Sequence, residues 1–317
     1  MSDIQVITEF LGSGIMNTYG NVLECIGHTP MIRLAKLDEG TGSQIYAKVE
    51  GLNPGGSIKD RAALFMIRDA EEKGLLKEGS VIIEPTSGNT GVGLSMIGAY
   101  LGYRCIIVMP DTMSAERISL MRAFGAEVVL TPGDEGMSGA IKRAEELKEE
   151  LGGFIPSQFK NPANTMSHVI TTSKEILEQV PDVDYVVAGI GSAGTATGLG
   201  MGFKKYSSKA KVIGVEPAAS PMITEGRSAP HKIQGIGANF IPENLNLDYI
   251  DEVITITDDE SIEMTRRLVR EEGIFAGISS GAAVAAAIRL ASEKKGSKIV
   301  AILPDHGDRY LSTGIFE

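Results

Sequence analysis

Short apolar runs that alternate with amphipathic helical patterns constrain this chain more than any other feature. The runs are VIIEP (81–85), YRCIIVMP (103–110), AEVVLTP (126–132), YVVAGIG (185–191), KVIGVEP (211–217) and KIVAILP (298–304). Before and between them lie AALFMIRDAEEKGLL, AERISLMRAFG, MSGAIKRAEELKEELG, SHVITTSKEILEQV, DESIEMTRRLVREEG and AAVAAAIRLASEKKG. In SGAIKRAEELKEEL apolar residues recur at i, i+3 and i+4, the mark of a helix with one buried face. Strands that are apolar without interruption belong to parallel sheets covered on both faces. The expected fold is therefore α/β, each domain a mostly parallel sheet flanked by helices. A length of 317 residues fits about two domains. We expect 53–160 to form the smaller one, and 1–52 with 161–317 the larger. A ligand would bind between them, at the carboxyl ends of the strands.

Charge narrows the partners. Thirty Lys and Arg against 41 Asp and Glu give a formal charge of −11, with no long basic run. Nucleic acid and anionic membrane surfaces are therefore not expected partners. Two cysteines, Cys25 and Cys105, cannot build a disulfide framework, and they read as reduced thiols of a cytoplasmic protein. The opening MSDIQVITEFLGSGIMNTYG has no basic segment leading into an apolar core, so no signal peptide is expected. No apolar run is long enough to span a membrane.

Three polar junctions carry the chemistry. In EGLNPGGSIKDRAALF a turn leads into a helix whose first turn holds Lys59, where the helix dipole disfavours a cation. EPTSGNTGVGLSM places Thr86, Ser87, Gly88, Asn89 and Thr90 at a helix N-terminus, a ready site for a carboxylate or phosphate. The plainer alternative is an N-cap beside a glycine turn. In YVVAGIGSAGTATG, Gly189, Gly191 and Gly194 spell G-x-G-x-x-G, and Glu216 ends the next strand as a dinucleotide fingerprint requires. A nicotinamide-dependent dehydrogenase is thus one reading. The hydroxyls of Ser192, Thr195 and Thr197 suit a phosphate monoester equally well.

The remaining candidates read more plainly. Ser279 and Ser280 in GIFAGISSGAAVAAAIRL fit a helix cap. Asp305, His306 and Asp308 in LPDHGDRYLST fit a polar turn better than a metal site. His28, His168 and His231 have no partner visible in the sequence and read as structural. No G-x-S-x-G, H-E-x-x-H or Walker pattern occurs.

Taken in order, NPGGSIKDR, PTSGNTG, GIGSAGT, KIQGIGANFIP, GISSGAA and RYLST resemble the cysteine synthase (O-acetylserine sulfhydrylase) family of fold-type-II pyridoxal phosphate enzymes. The resemblance runs from IGHTPMIRL at Ile26 to Thr313. It implies a two-domain, tryptophan synthase β-like fold and pyridoxal 5'-phosphate as cofactor. Lys59 would then form the Schiff base; a desolvated lysine is a better nucleophile and proton carrier. Gly191, Ser192, Ala193, Gly194 and Thr195 match the phosphate loop, in which the family usually has glycine at the position of Ala193. Asn89 matches the group that hydrogen-bonds the ring hydroxyl. Thr86, Ser87, Gly88, Thr90 and Gln158 match the grip on the substrate carboxylate. Ser279 matches the hydroxyl facing the pyridine nitrogen, which makes the ring a weaker electron sink than an aspartate would.

The implied reaction is β-replacement: O-acetyl-L-serine and sulfide give L-cysteine through an α-aminoacrylate. Relatives also break cysteine down to sulfide, form lanthionine or cystathionine, or use O-phosphoserine, and Arg227 lies upstream of the loop that would matter. The family's G-A-G-F is Gly237-Ala238-Asn239-Phe240 here, so Asn239 adds an amide that either serves a second substrate or faces solvent. A homodimer and a serine acetyltransferase are the partners the resemblance implies. A non-catalytic relative acting as a binding partner is expected to have lost the lysine or the carboxylate loop, and both are intact.

Overall fold

A computed structural model describes residues 18–317. Residues 1–17, which include most of the stretch read for a signal peptide and part of the 1–52 segment, lie outside the described residues. Two sheets organise the chain. The smaller is parallel, in the order β3 (Val81–Pro85), β4 (Arg104–Pro110), β5 (Glu127–Thr131). The larger has the order β1 (Met31–Arg33), β2 (Gln44–Val49), β9 (Lys298–Leu303), β6 (Tyr185–Gly189), β7 (Lys211–Pro217), β8 (Glu252–Ile256). Among the strands of the described residues only the β1–β2 pair is antiparallel.

All six apolar runs of the sequence are strands. β1, β2 and β8 are additional: β1 is three residues long, and β8 (EVITI) is mostly half-buried. Their apolar signal is correspondingly weak.

Both sheets are covered on two faces, as continuous apolar strands require. On one side of the large sheet, α8 (Asp258–Glu272) and α9 (Ile278–Glu293) bury Leu268, Ala283, Ala287 and Leu290 against Ile45, Val187 and Ile299. On the other, α7 (Gly194–Lys205) packs Ala196, Leu199 and Phe203 against Val186, Val212 and Val300. The small sheet meets α1 (Lys59–Glu72), α2 (Asn89–Leu101) and α3 (Ala115–Ala123) on one face and α4 (Gly136–Leu151) on the other.

The helical pattern read over 167–180 is not one continuous α-helix. A short α5 (Pro162–Ser167) runs through a π turn at His168–Thr172 into α6 (Ser173–Gln179). Parallel strands point their carboxyl ends the same way. The loops after β3, β6 and β9 therefore converge on one cavity between the two sheets.

Candidate active site

That cavity measures about 640 Å³ and is lined by Lys59, residues 86–90, Gln158, Gly191, Ser192, residues 234–239, Ser279 and Asp305. An adjoining chamber of about 30 Å³ lies against Lys59, Gly191, Ser192, Ala193 and Thr195. The residues proposed from the sequence as touching cofactor or substrate border one of these spaces, except Gly194, which opens α7 directly behind the loop, and Thr197, whose Oγ1 instead accepts from Asn246 N at 3.2 Å.

Lys59 is the first residue of α1 and is partly accessible from the cavity. Burial lowers its ammonium pKa below the ordinary lysine range, and the Asp305 carboxylate partly offsets this. The helix that carries it is fixed from behind by buried charges. Arg61 Nε donates to Glu50 Oε2 at 2.7 Å and Nη1 to Glu175 Oε1 at 2.6 Å, while Lys48 Nζ donates to Glu175 Oε2 at 2.7 Å. Two cations thus satisfy two carboxylates, tying α1 to β2 and α6.

The junction after β3 forms a hydroxyl and amide cluster. Thr90 Oγ1 donates to Gln158 Oε1 at 2.6 Å, and Gln158 Nε2 donates to Thr86 Oγ1 at 3.3 Å. Asn89 is held by charge on both sides of its amide. Its Nδ2 donates to Asp305 Oδ2 at 2.7 Å, and its Oδ1 accepts from Arg309 Nη1. Tyr310 donates to the same Asp305 oxygen at 2.6 Å.

The glycines of loop 189–194 are there for close approach. A Cβ on Gly191 would stand 2.4 Å from the Gly235 carbonyl oxygen, and one on Gly194 2.2 Å from Asn164 Oδ1. Ala193, the departure from the family pattern, sits at φ +63° and caps α7. A left-handed non-glycine residue costs about 1–2 kcal/mol, which accounts for glycine being usual there. Glu216 does not face a ribose site. It is 1% exposed, and its carboxylate accepts from the Ile223 and Thr224 amides at 2.8 and 3.0 Å. The acidic member of the dinucleotide fingerprint is thus used up in tying a loop.

Several residues take places the sequence did not reveal. His168, read as lacking a partner, is fully buried with Nε2 3.3 Å from Thr195 Oγ1 and Nδ1 2.9 Å from Thr172 Oγ1. Burial, with Lys59 and Arg61 nearby, holds its pKa well below the usual histidine value, so the ring is neutral. His231 lines the cavity and contacts the Gly237 carbonyl at 3.1 Å. Asp305, read as part of a polar turn, is 2% exposed and borders the cavity. Arg117 reaches in from α3, donating to Gln234 Oε1 at 2.9 Å above the Tyr310 ring. Arg227 instead pairs with Glu225 at 3.0 Å, and it does not border the cavity. Asn239 is exposed at the mouth. Sequence spacing carries no signal for the His168–Thr195 and Arg117–Gln234 pairings, whose partners are 27 and 117 residues apart along the chain.

Cys25 and Cys105 are free thiols, and burial pushes the Cys105 thiol up to about 12. Among the described residues no helix is long and apolar enough to cross a membrane, and no group of three or more potential metal ligands occurs.

Comparison with known proteins agrees with this geometry. The family model described as "Pyridoxal-phosphate dependent enzyme" matches residues 22–305. A cysteine synthase of Staphylococcus aureus is 49% identical over 299 residues, covering 93% of this chain and 96% of the relative. The crystal structure of a cysteine synthase from Entamoeba histolytica superposes with a TM-score of 0.92 at 42% identity, covering 96% of this chain and 93% of that one. A hydrogen sulfide-producing enzyme from Fusobacterium nucleatum gives 0.88 at 44% identity, covering 93% of this chain and 100% of that one. With that family model matched across both sheets and a lysine at the floor of the cavity between them, the chain belongs to the pyridoxal-phosphate dependent enzymes, in the cysteine synthase family.

Proposed function

We propose that the chain forms L-cysteine by β-replacement, with O-acetyl-L-serine as the amino-acid substrate and sulfide as the nucleophile. The observation that carries this reading is the desolvated Lys59 amine, set between the 191–195 loop and the Thr86–Thr90–Gln158 cluster. The β-carbon loses acetate and gains sulfur, so the exchange needs neither oxidant nor reductant.

The residues present fit pyridoxal phosphate. The small chamber is enclosed by loop backbone and by Ser192 and Thr195, whose hydroxyls and amides suit a phosphate monoester. No side chain beyond Cβ fills the loop at Gly191, Ala193 and Gly194. When bound, the cofactor supplies an electron sink conjugated with the substrate's α-carbon. Lys59 would hold it covalently, Asn89 would meet its ring hydroxyl, and Ser279 would face its pyridine nitrogen. Thr86, Ser87, Gly88, Thr90 and Gln158 would bind the α-carboxylate and orient the α-proton. Lys59 Nζ takes that proton and later returns it, a role suited to an amine whose pKa burial has lowered.

The division into 53–160 and 1–52 with 161–317 belongs to the same reading, with the 86–90 loop closing over substrate to exclude water. A cytoplasmic homodimer, with a serine acetyltransferase as a further partner, completes it. One observation favours a second use of the site. Asn239 places an amide at the mouth, where it can hold a water or second thiol and favour sulfide release from cysteine.

The deciding experiment is the near-visible absorbance of purified protein before and after O-acetylserine. The expected outcome is a yellow protein whose band shifts on adding O-acetylserine and reverts with sulfide. A colourless protein that pyridoxal phosphate cannot reconstitute would refute the reading. A yellow protein that responds only to cysteine or O-phosphoserine would keep the cofactor chemistry and move the substrate.

A further inference from the structure

Glu84 is the residue before the last of β3, and it is 2% exposed. Its carboxylate accepts from Ser157 N at 2.9 Å and Gln158 N at 3.2 Å. Ser157 is held at φ +58°, a left-handed conformation that the Cβ of a non-glycine residue disfavours. Successive amides turned onto one anion form an anion-binding nest, and here the anion is a side chain of the protein itself. Gln158 then has its side chain between Thr90 and Thr86, and its carbonyl accepts from Asn164 and Asn244 at 2.8 Å each.

We propose that Glu84 is a positioning residue for the substrate's α-carboxylate. It fixes the main chain at Ser157 and Gln158 so that the Gln158 side chain faces Thr86 and Thr90. Thr86 follows Glu84 by two residues, so one carboxylate ties both halves of the grip to the end of β3. A purely structural role is a poor account of a carboxyl group here. Burying it without a cation costs several kcal/mol, and a hydrocarbon side chain fills such a place more cheaply. Glu145, Lys160 and Glu243 line the same outer space, but none hydrogen-bonds Glu84. What the carboxylate provides is two acceptors at a strained turn.

The proposal rests on the reading of Thr86, Thr90 and Gln158 as the carboxylate grip. Its test is a double-mutant cycle on the holoenzyme, with amino-acid binding followed by the cofactor's absorbance. At pH 8, where the parent's Glu84 is ionised, Glu84→Gln offers one acceptor for two amides and leaves a buried N–H unsatisfied. It should weaken amino-acid binding about tenfold, since a buried amide is left without its acceptor, while cofactor affinity holds. In a Gln158→Ala background the same substitution should add less than about twofold, because residues acting through one another are not additive. Unchanged affinity in Glu84→Gln, or an effect that adds in full to Gln158→Ala, would overturn the proposal. If Glu84→Gln does not fold, Glu84→Asp keeps the charge, shortens the arm and carries the same two comparisons. A parent holoenzyme whose absorbance ignores amino acids altogether would instead bring down the grip reading, so the two failures are distinguishable.

Discussion

Asn89 Nδ2 and Asp305 Oδ2 lie 2.7 Å apart across 216 residues of sequence, joining the small-sheet junction to the end of the large sheet. Asp305 also accepts from Tyr310, and its charge raises the pKa of Lys59 against the larger effect of burial. One carboxylate therefore sets the orientation of an amide and the basicity of an amine. Asp305→Asn should do two things. It should weaken cofactor binding at least about tenfold, because Asn89 loses an ionic acceptor worth about 1.5–3 kcal/mol. It should also lower the pH at which Lys59 becomes a free amine, since a neutral amide no longer favours the ammonium. Titration of the apoenzyme with pyridoxal phosphate across pH reads both. An unchanged midpoint would show that Asp305 does not act on Lys59.

Lys59→Ala should leave no covalent link to the cofactor and lower turnover by about 10³-fold, within the range for loss of a positioned acid–base. Borohydride reduction followed by peptide mass analysis checks this. The parent should carry the cofactor's mass on the peptide containing Lys59, and the variant should carry none. A modified peptide elsewhere in the parent would reassign the lysine.

These first two sites show what was legible. Lys59, Asn89 and the 191–195 loop each stand in a local strand-to-helix junction, and local junctions are visible in sequence. Glu216 looked equally convincing at its spacing, yet it binds the Ile223 and Thr224 amides. A fingerprint fixes position, not what a side chain faces. The place of Asp305 at the cavity and the contact of His168 with Thr195 were not legible, because Asn89 and Thr195 lie 216 and 27 residues away from them in sequence. Ser157 gave no signal at all, since its left-handed backbone meets a carboxylate of β3, Glu84, that lies 73 residues away in sequence. The strands β1 and β2 went unread for a different reason: their pattern is short or only partly apolar.

Two substitutions in the phosphate loop should behave oppositely although both exchange only a methyl. Gly191→Ala drives a Cβ to 2.4 Å from the Gly235 carbonyl, a backbone atom that cannot swing aside. Cofactor affinity should fall by more than about tenfold, with a stability loss of about 1–3 kcal/mol. Ala193→Gly relieves about 1–2 kcal/mol of left-handed strain. It gives back about 0.8 kcal/mol of buried methyl and about 0.5–1 kcal/mol of backbone entropy. The net change should lie within about 1 kcal/mol, with cofactor binding retained. Thermal midpoints with and without pyridoxal phosphate check the pair. A large loss in Ala193→Gly would mean that the methyl packs better than its surroundings indicate.

Asn239→Gly restores the bare backbone that relatives have at the cavity mouth. Sulfide release from cysteine should fall several-fold, while cysteine formation from O-acetylserine changes little. Parallel assays in the two directions decide it. Equal rates for parent and variant in both would show that the amide only faces solvent.

Glu84 also predicts a pH signature in stability. Burial raises its pKa from 4.5 to about 7, with the Ser157 and Gln158 amides pulling the other way. The folded chain therefore holds a proton that the unfolded chain has released between those values. The resulting stabilisation is fully present below about pH 4.5 and is lost as pH rises through about 7. Over that window it amounts to about 3 kcal/mol, at 1.36 kcal/mol per pH unit. Asp60 is also raised to about 7, His168 is lowered and Glu175 lies near 2, so the parent's own profile mixes several titrations. Comparison with Glu84→Gln removes them, because they are common to both chains. The parent's stability relative to the variant should be greater at pH 5 than at pH 8. Urea midpoints at the two pH values measure the difference. If it is the same at both, Glu84 titrates alike in the folded and unfolded chains, and burial does not govern its proton.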